Sequence, residues 1–399
     1  MVRQSFLIPL FFTSIICVVS LPAAAQEIEF ERQTISEEAN LWWARALGDM
    51  NGDGHLDIVL QDNNGHGGWL GWYENAPDSQ EWKKHVISEQ GPNEQTMAAG
   101  DLEVADIDGD GDLDVLGIEH PGEWDQSGAA SQIWWYENPE WNAHPIGEAP
   151  AFIKDLNLAD FDGDGHPDLA AMTYDRNSLT IYRQDDEGWT QVQDMTITNL
   201  HEGMDVGDLD GDGDLDLAAN GYFVENPGGD LTGEWNVHTI HEKWYNQDGD
   251  WSKNACKVFC VDINEDGKDE VFITHSERRG YPVAWYESDA PTESWTEHVI
   301  IEEFAAAHTL QVFDVDADGD HDVLTGMNLG RGQSLGFEEF PVLLLLNQGD
   351  NQEWQQLTLT TEGIYNGQLG DIEGDGDMDL FRLASHDATQ FQAWLNQVK

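Results

Sequence analysis

Short apolar runs recur along the chain: "LDIVL", "LDVLGI", "PDLAAM", "LDLAAN", "DEVFIT", "HDVLTG" and "MDLFRL". Runs of this length, rich in branched aliphatic residues, read as buried strands. A second recurring segment, aromatic in six of its seven copies, follows each: "GWYENAP", "WWYENPE", "TIYRQD", "YFVENPG", "AWYESDA", "LLLLNQG" and "QAWLNQ". An alternating polar–apolar segment comes next: "WKKHVI", "WNAHPI", "WTQVQDMTI", "WNVHTI", "WTEHVI" and "WQQLTL". Its seventh copy is missing after Trp394 and stands instead near the start, as "FERQTI" from Phe30. With the strand that precedes each apolar run, every unit holds four antiparallel strands, the composition of a propeller blade. The pattern predicts an all-β fold, a seven-bladed β-propeller. The displaced N-terminal strand would complete the last blade and remove two exposed edges.

Between the first two strands of each unit lies an acidic nonapeptide. The copies are "DMNGDGHLD" from Asp49, "DIDGDGDLD" from Asp106, "DFDGDGHPD" from Asp160, "DLDGDGDLD" from Asp208, "DINEDGKDE" from Asp262, "DVDADGDHD" from Asp314 and "DIEGDGDMD" from Asp371. Their starts are 57, 54, 48, 54, 52 and 57 residues apart, a repeat with a period near fifty residues. Like charges on every second residue repel unless a cation neutralises them. Calcium is a hard cation that takes six to eight oxygens, and side chains at positions 1, 3, 5 and 9 can converge on one ion. Gly at position 6 permits the left-handed turn that folds the loop back.

The expected ligands, loop by loop, are Asp49, Asn51, Asp53 and Asp57; Asp106, Asp108, Asp110 and Asp114; Asp160, Asp162, Asp164 and Asp168. They continue with Asp208, Asp210, Asp212 and Asp216; Asp262, Asn264, Asp266 and Glu270; Asp314, Asp316, Asp318 and Asp322; and Asp371, Glu373, Asp375 and Asp379. Up to seven calcium ions follow. An EF-hand needs Glu at position 12, and that position reads Leu60, Gly117, Ala171, Ala219, Ile273, Thr325 and Arg382, so the EF-hand is excluded.

These loops resemble the FG-GAP/VCBS repeat, the calcium-loop propeller unit also seen in integrin alpha chains. The core D-x-[DN]-x-D-G-x-x-D matches five loops outright; loop five departs at Glu270 and loop seven at Glu373. The resemblance covers nearly the whole chain after its first residues and implies the fold and calcium. The family spans adhesion proteins and sugar-acting enzymes, so fold alone leaves function open. The "WYENP" and "W..H.I" segments also resemble the propeller of an anhydro-sugar dehydratase, and some polysaccharide lyases use similar calcium-rich propellers.

The chain opens with Arg3, an apolar stretch from Phe6, and Ala23–Ala25, which reads as a signal peptide over residues 1–25 and a propeller over 26–399. A secreted, extracellular or periplasmic protein is expected, without membrane insertion, as a monomer. Cys256 and Cys260 would lie roughly 13 Å apart on an extended strand, too far for a disulfide. The net charge of −61, from 17 basic and 78 acidic residues, argues against nucleic acid as a partner, because phosphate binding needs basic patches.

Strand alternation puts the acidic loops on one face of the ring. The opposite face receives the long connections "IEHPGEWDQSGAAS", "HEKWYNQDGDWSKN", "HSERRGYP" and "MNLGRGQSLGFEEF", and long loops on one side of a repeat array are the usual binding side. His85, His144, His238 and His298 share one repeated slot and read as structural. His66, His120, His201, His241, His275, His308 and His386 map to the irregular face. On the innermost strands, Asp101, Glu103, Asp155, Asn157, Asp205, Lys257, Gln311, Asn366 and Gln368 share one parity and would line a polar funnel. At its mouth are expected Lys154, His201, Glu202, His308 and Tyr365, with Arg45 from the first blade. Two classes fit: a module binding a carbohydrate or an extracellular protein, or a carbon–oxygen lyase using His201, His308, Tyr365, Arg45 and Lys154 for β-elimination on a sugar.

Overall fold

The computed structural model describes residues 28–37, 44–61, 69–76, 81–122, 128–174, 176–385, 388 and 390–398. The proposed signal peptide, His66 and His386 lie outside them.

Seven antiparallel sheets form a ring. The first blade runs Ala44–Gly48, Asp57–Gln61, Leu70–Glu74 and Lys83–Ser88, from axis to rim. Blades three to six repeat this order, with inner strands Ile153–Ala159, Met204–Gly207, Cys256–Val261 and Ala307–Phe313. The last blade joins Gln368–Gly370, Asp379–Leu383 and Phe391–Asn396 to the N-terminal strand Phe30–Ser36, with Phe30 opposite Asn396 and Arg32 opposite Trp394. The Arg32 guanidinium lies 4.0 Å from the Trp394 ring centre, so an aromatic face seals the closure. Deleting Phe30–Ser36 would bare the edge of Phe391–Asn396 and is expected to cause aggregation or a large fall in melting temperature. Unchanged melting of that deletion would show that closure contributes little.

In the second blade the inner strand is split into Thr96–Met97 and Val104–Ala105, where one continuous strand was expected. The break follows from close approach at Gly100. Its N–H donates to Ile153 O at 2.9 Å, and a Cβ there would lie 2.4 Å from Lys154 O.

The core is divided among the seams between blades. Ile58, Leu60 and Tyr73 of the first blade pack with Phe381, Leu383 and Phe391 of the last; Leu116, Ile118 and Ile133 pack with Leu156, Leu169 and Tyr182 across the next-but-one seam. Tight burial of branched and aromatic side chains on both faces of each sheet explains why the second strands carry unbroken apolar runs.

In six blades an amide at or just past the end of the third strand ties that blade to the one before. Its side chain donates to the carbonyl of position 2 in the preceding blade's acidic loop: Asn75 to Ile372 (2.7 Å), Asn138 to Met50 (3.0 Å), Gln184 to Ile107 (2.7 Å), Asn226 to Phe161 (2.8 Å) and Asn396 to Val315 (3.0 Å). Asn351 serves the sixth blade, reaching Ile263 at 3.1 Å. Between the fourth and fifth blades the connection is instead Asp269 to Asp208, with Asp269 N–H donating to Asp208 O at 2.8 Å and Asp269 Oδ2 accepting Asp208 N–H at 2.9 Å.

The repeated histidine slot is structural in its contacts. His85, His144 and His298 stack on Trp72, Trp135 and Trp285 at 4.1, 4.4 and 4.0 Å. Their Nε2 atoms meet Glu74, Glu137 and Glu287 at 2.5, 2.8 and 2.8 Å. His238 repeats the contact with Glu225 at 2.9 Å. Cys256 and Cys260 are both free thiols on one strand.

Candidate functional site

Two sets of residues stand out, the acidic loops on one face and a cavity on the axis at the other. In every loop the position-6 glycine has a positive φ, from 89° at Gly267 to 100° at Gly111. Its N–H donates to the position-1 carboxylate, as Gly54 does to Asp49 (2.8 Å) and Gly319 to Asp314 (3.0 Å). Position 4 is left-handed as well, and Glu265 and Ala317 adopt it at φ 60° and 59° without being glycine, a demand the sequence pattern did not reveal. The position-9 carboxylate is buried and in six loops accepts two backbone N–H groups, whereas Glu270 accepts one, from Ile263. Asp114, for example, takes Ile107 and Asn138 at 3.0 and 2.9 Å.

Four loops bring three carboxylates to within 4.8 Å of one another: Asp106, Asp108 and Asp114; Asp160, Asp162 and Asp168; Asp208, Asp210 and Asp216; Asp314, Asp316 and Asp322. Asp106 Oδ1 is buried without a hydrogen-bond partner. Burial and neighbouring carboxylates push Asp114 up to about 6 and Asp216 up to about 8. A set of hard oxygen donors, crowded and partly desolvated, is one that a metal ion fits. In the first, fifth and seventh loops the same backbone frame recurs, with Asn51, Asn264 and Glu373 replacing a position-3 Asp. Asn264 turns its amide onto Glu270 Oε1 at 2.7 Å.

On the opposite face a cavity of about 440 Å³ opens on the axis, walled by Phe152, Tyr174, Trp251 and Tyr365 and by a polar group around Glu202. Lys154, His201, His308 and Tyr365 all reach it, each from the loop-side end of an inner strand or the residues just before one. Arg45 does not line this cavity. It is buried in a second, smaller cavity of about 130 Å³ that shares His308 with the first, and its guanidinium donates to Tyr365 O.

Glu202 is the centre of the charge network. Lys257 Nζ lies 3.1 Å from Oε1, Lys154 Nζ 3.4 Å from Oε2, and His308 Nε2 3.8 Å from Oε1. Burial alone would push this carboxyl up, but the two lysines and His308 outweigh it and hold Glu202 well below the usual carboxylate range. A second carboxylate, Glu277, meets His308 Nε2 at 3.4 Å and Arg331 Nε at 3.1 Å. His308 Nδ1 lies 2.9 Å from Asn366 Oδ1 and so carries a proton. His201 Nε2 lies 3.0 Å from Trp251 O; a carbonyl only accepts, so Nε2 is protonated and Nδ1 is the basic nitrogen of the neutral ring.

The other histidines of this face have local duties. His275 Nδ1 accepts the N–H groups of Glu277 and Arg278, both at 3.2 Å, and burial pulls it down to about 3. His120 pairs with Ser131 Oγ at 3.0 Å, and His241 caps the short 3₁₀ turn Glu242–Trp244. Glu277, Trp251 and Arg331 were missed by the sequence reading, although the loops that carry them were singled out. Irregular loops have no repeat against which a functional residue can be recognised.

The polar funnel below includes Asp101, Asp155, Lys257, Gln311, Asn366 and Gln368. Burial pushes Asp155 up to about 7, against Lys257 and Lys154 and with help from Asp101 and Glu202. A raised carboxyl contributes stability only while protonated, and that contribution is lost as pH rises from about 4 towards 7. Asp155→Asn mimics the protonated form and keeps an acceptor for Gly203 N–H, now at 3.2 Å. With calcium in excess, its melting temperature is expected to match the parent at acidic pH and exceed it by several degrees above pH ~7. A difference between the two proteins that ignores pH would refute this electrostatic account.

A family model described as FG-GAP-like repeat matches residues 49–117, 106–171, 160–219 and 262–325. No curated protein matches the chain. Among solved structures, BBS1N in complex with ARL6DN, soaked with lead, aligns with a TM-score of 0.53 at 11% identity, covering 92% of this chain and 96% of that chain. A putative 6-phosphogluconolactonase from Bacteroides fragilis aligns with a TM-score of 0.52 at 11% identity, covering 86% and 95%. At such identities the likeness is one of fold. Among the described residues no helix is long and apolar enough to cross a membrane.

Proposed function

The chain belongs to the FG-GAP-like repeat family, and from that premise we propose that it is a secreted, calcium-binding propeller that takes an acidic carbohydrate into the axial cavity. FG-GAP repeats are typical of extracellular proteins, which supports secretion and a calcium-rich setting. The acidic loops would hold calcium through the carboxylates already named, and the ions would neutralise the charge crowded there.

The observation that carries the carbohydrate reading is the composition of the cavity. Aromatic walls face the apolar side of a sugar ring, and charged groups placed between them fix its hydroxyl and carboxylate groups. Lys154 and Arg331 bring positive charge to the wall of a protein whose net charge is −61. Glu202 and Glu277 share that charge, so the wall is close to neutral and an anionic ligand repelled elsewhere is tolerated here.

The same groups suit β-elimination. His201 would act as the base that takes the proton α to a sugar carboxylate, its ring turning to bring Nδ1, buried in this structure, into the cavity. Lys154 and Arg331 stabilise the charge that develops on that carboxylate. As the carbon–carbon double bond forms, the bond to the leaving oxygen breaks and the Tyr365 hydroxyl supplies its proton. Burial pushes the Tyr365 hydroxyl above its ordinary value, which keeps it in the acid form. The test is a screen of the purified protein against uronate polysaccharides and anhydro-ketoses, following the absorbance of unsaturated products and, in parallel, binding by calorimetry. Neither turnover nor binding with any member would overturn the reading.

A further inference from the structure

Trp251 is the one exposed aromatic among the large hydrophobic residues that the described chain leaves open to solvent, at 50% exposure. It also lines the axial cavity. An exposed tryptophan on a floppy loop would need no explanation, but this loop is held. Arg278 gathers it from below. Its Nε donates to Ser252 Oγ at 3.0 Å, Nη1 to Asp248 O at 3.0 Å, and Nη2 approaches Asp250 Oδ1 at 3.4 Å. Ser252 Oγ in turn donates to Asp250 Oδ1 at 2.6 Å. The indole itself has the Arg331 guanidinium 5.1 Å from its ring centre, and Arg331 is fixed by Glu277. The carbonyl of Trp251 holds His201. The ring is therefore preorganised at the mouth of the cavity and built into the same network as its charged groups.

We propose that Trp251 is a stacking platform for a second sugar residue, so that the ligand is a chain of at least two linked rings and not a free monosaccharide. This rests on the carbohydrate reading above and decides between its two substrate classes. A ring seated among Lys154, His201 and Tyr365 occupies the enclosed part of the cavity, and the next ring along the chain emerges against the indole. Space for more chain exists beyond. A groove of about 530 Å³ lies past the short helix Leu329–Ser334, and it shares Gly330 with the cavity. Flat aromatic surface presented without an ordering cost is what a repeating polymer can use at each added unit.

The test uses calorimetry on the full chain with calcium, comparing free uronic acids with their short homo-oligomers. The parent is expected to bind oligomers more tightly than monomers. Trp251→Ala is expected to lower oligomer affinity roughly three- to tenfold, the scale of one aromatic contact, to weaken monomer binding by clearly less, so that the oligomer preference is lost, and to leave the melting temperature unchanged. Trp251→Phe keeps a ring and should retain most of the preference; neither change removes the carbonyl that holds His201. Equal affinity of the parent for monomer and oligomer, or an oligomer preference that survives in Trp251→Ala, would overturn the platform and leave the carbohydrate reading standing. Binding of neither monomer nor oligomer by the parent would overturn both.

Discussion

Chelation is expected to lower the melting temperature by many degrees, and calcium added in excess should restore it. Without a cation, each acidic loop holds several carboxylates close together; in four of them three lie within 4.8 Å. A ligand that binds only the folded state stabilises by mass action, about 2.7 kcal/mol per site at a hundredfold excess over its Kd. Even four such sites amount to roughly 10 kcal/mol, comparable with the whole stability of an ordinary domain. Magnesium should substitute poorly, since it demands tighter octahedral geometry and gives up its water reluctantly. Melting curves recorded with chelator, with magnesium and with calcium check this directly. Indifference to all three would remove the metal assignment.

The second large effect is expected at His201. His201→Ala should abolish turnover, or cut ligand affinity where no turnover is found, while calcium-dependent melting is preserved. His201→Gln separates chemistry from scaffolding. Its amide can still donate to Trp251 O, but it supplies no basic nitrogen, so it should hold the loop and remain inactive. The control is His298→Ala, which removes a ring stacked 4.0 Å over Trp285 and paired with Glu287. That change should cost stability on the order of 1 kcal/mol and spare ligand handling. Full activity in His201→Gln would assign His201 to holding the loop.

The ring was readable from the sequence because its information is repeated. Seven acidic loops, seven apolar runs and one displaced outer strand determine blade number and closure, and the structure has all of them. The inner-strand parity also placed Asp155, Lys257 and Gln368 on the axial channel, because alternation along a strand is dictated by backbone geometry. Lys154, His201, His308 and Tyr365 were legible for the same reason, lying at the ends of inner strands. Trp251, Glu277 and Arg331 were not. Their positions depend on how two irregular loops and a short helix fold over the axis, and no period in the sequence encodes that. Arg45 shows the limit of parity reasoning. Its strand and direction were right, but it comes from deeper along the axis and anchors the Tyr365 carbonyl from beneath the cavity.

The joints of the ring differ at one place, and a hoop under load gives way at its odd joint. Six seams are latched by an amide from the following blade, which grips the carbonyl of loop position 2. The seam between the fourth and fifth blades is latched one residue earlier in the loop, through the backbone N–H and carbonyl of Asp208, both held by Asp269. Loss of the cation from that loop would shift the backbone of the very residue that carries the latch. The same seam is crossed, on the other face, by the 3.1 Å contact of Glu202 with Lys257. Demetallation would thus reach the axial cavity through this joint before the ring as a whole unfolds, so ligand binding should fail at a milder chelator concentration than melting does.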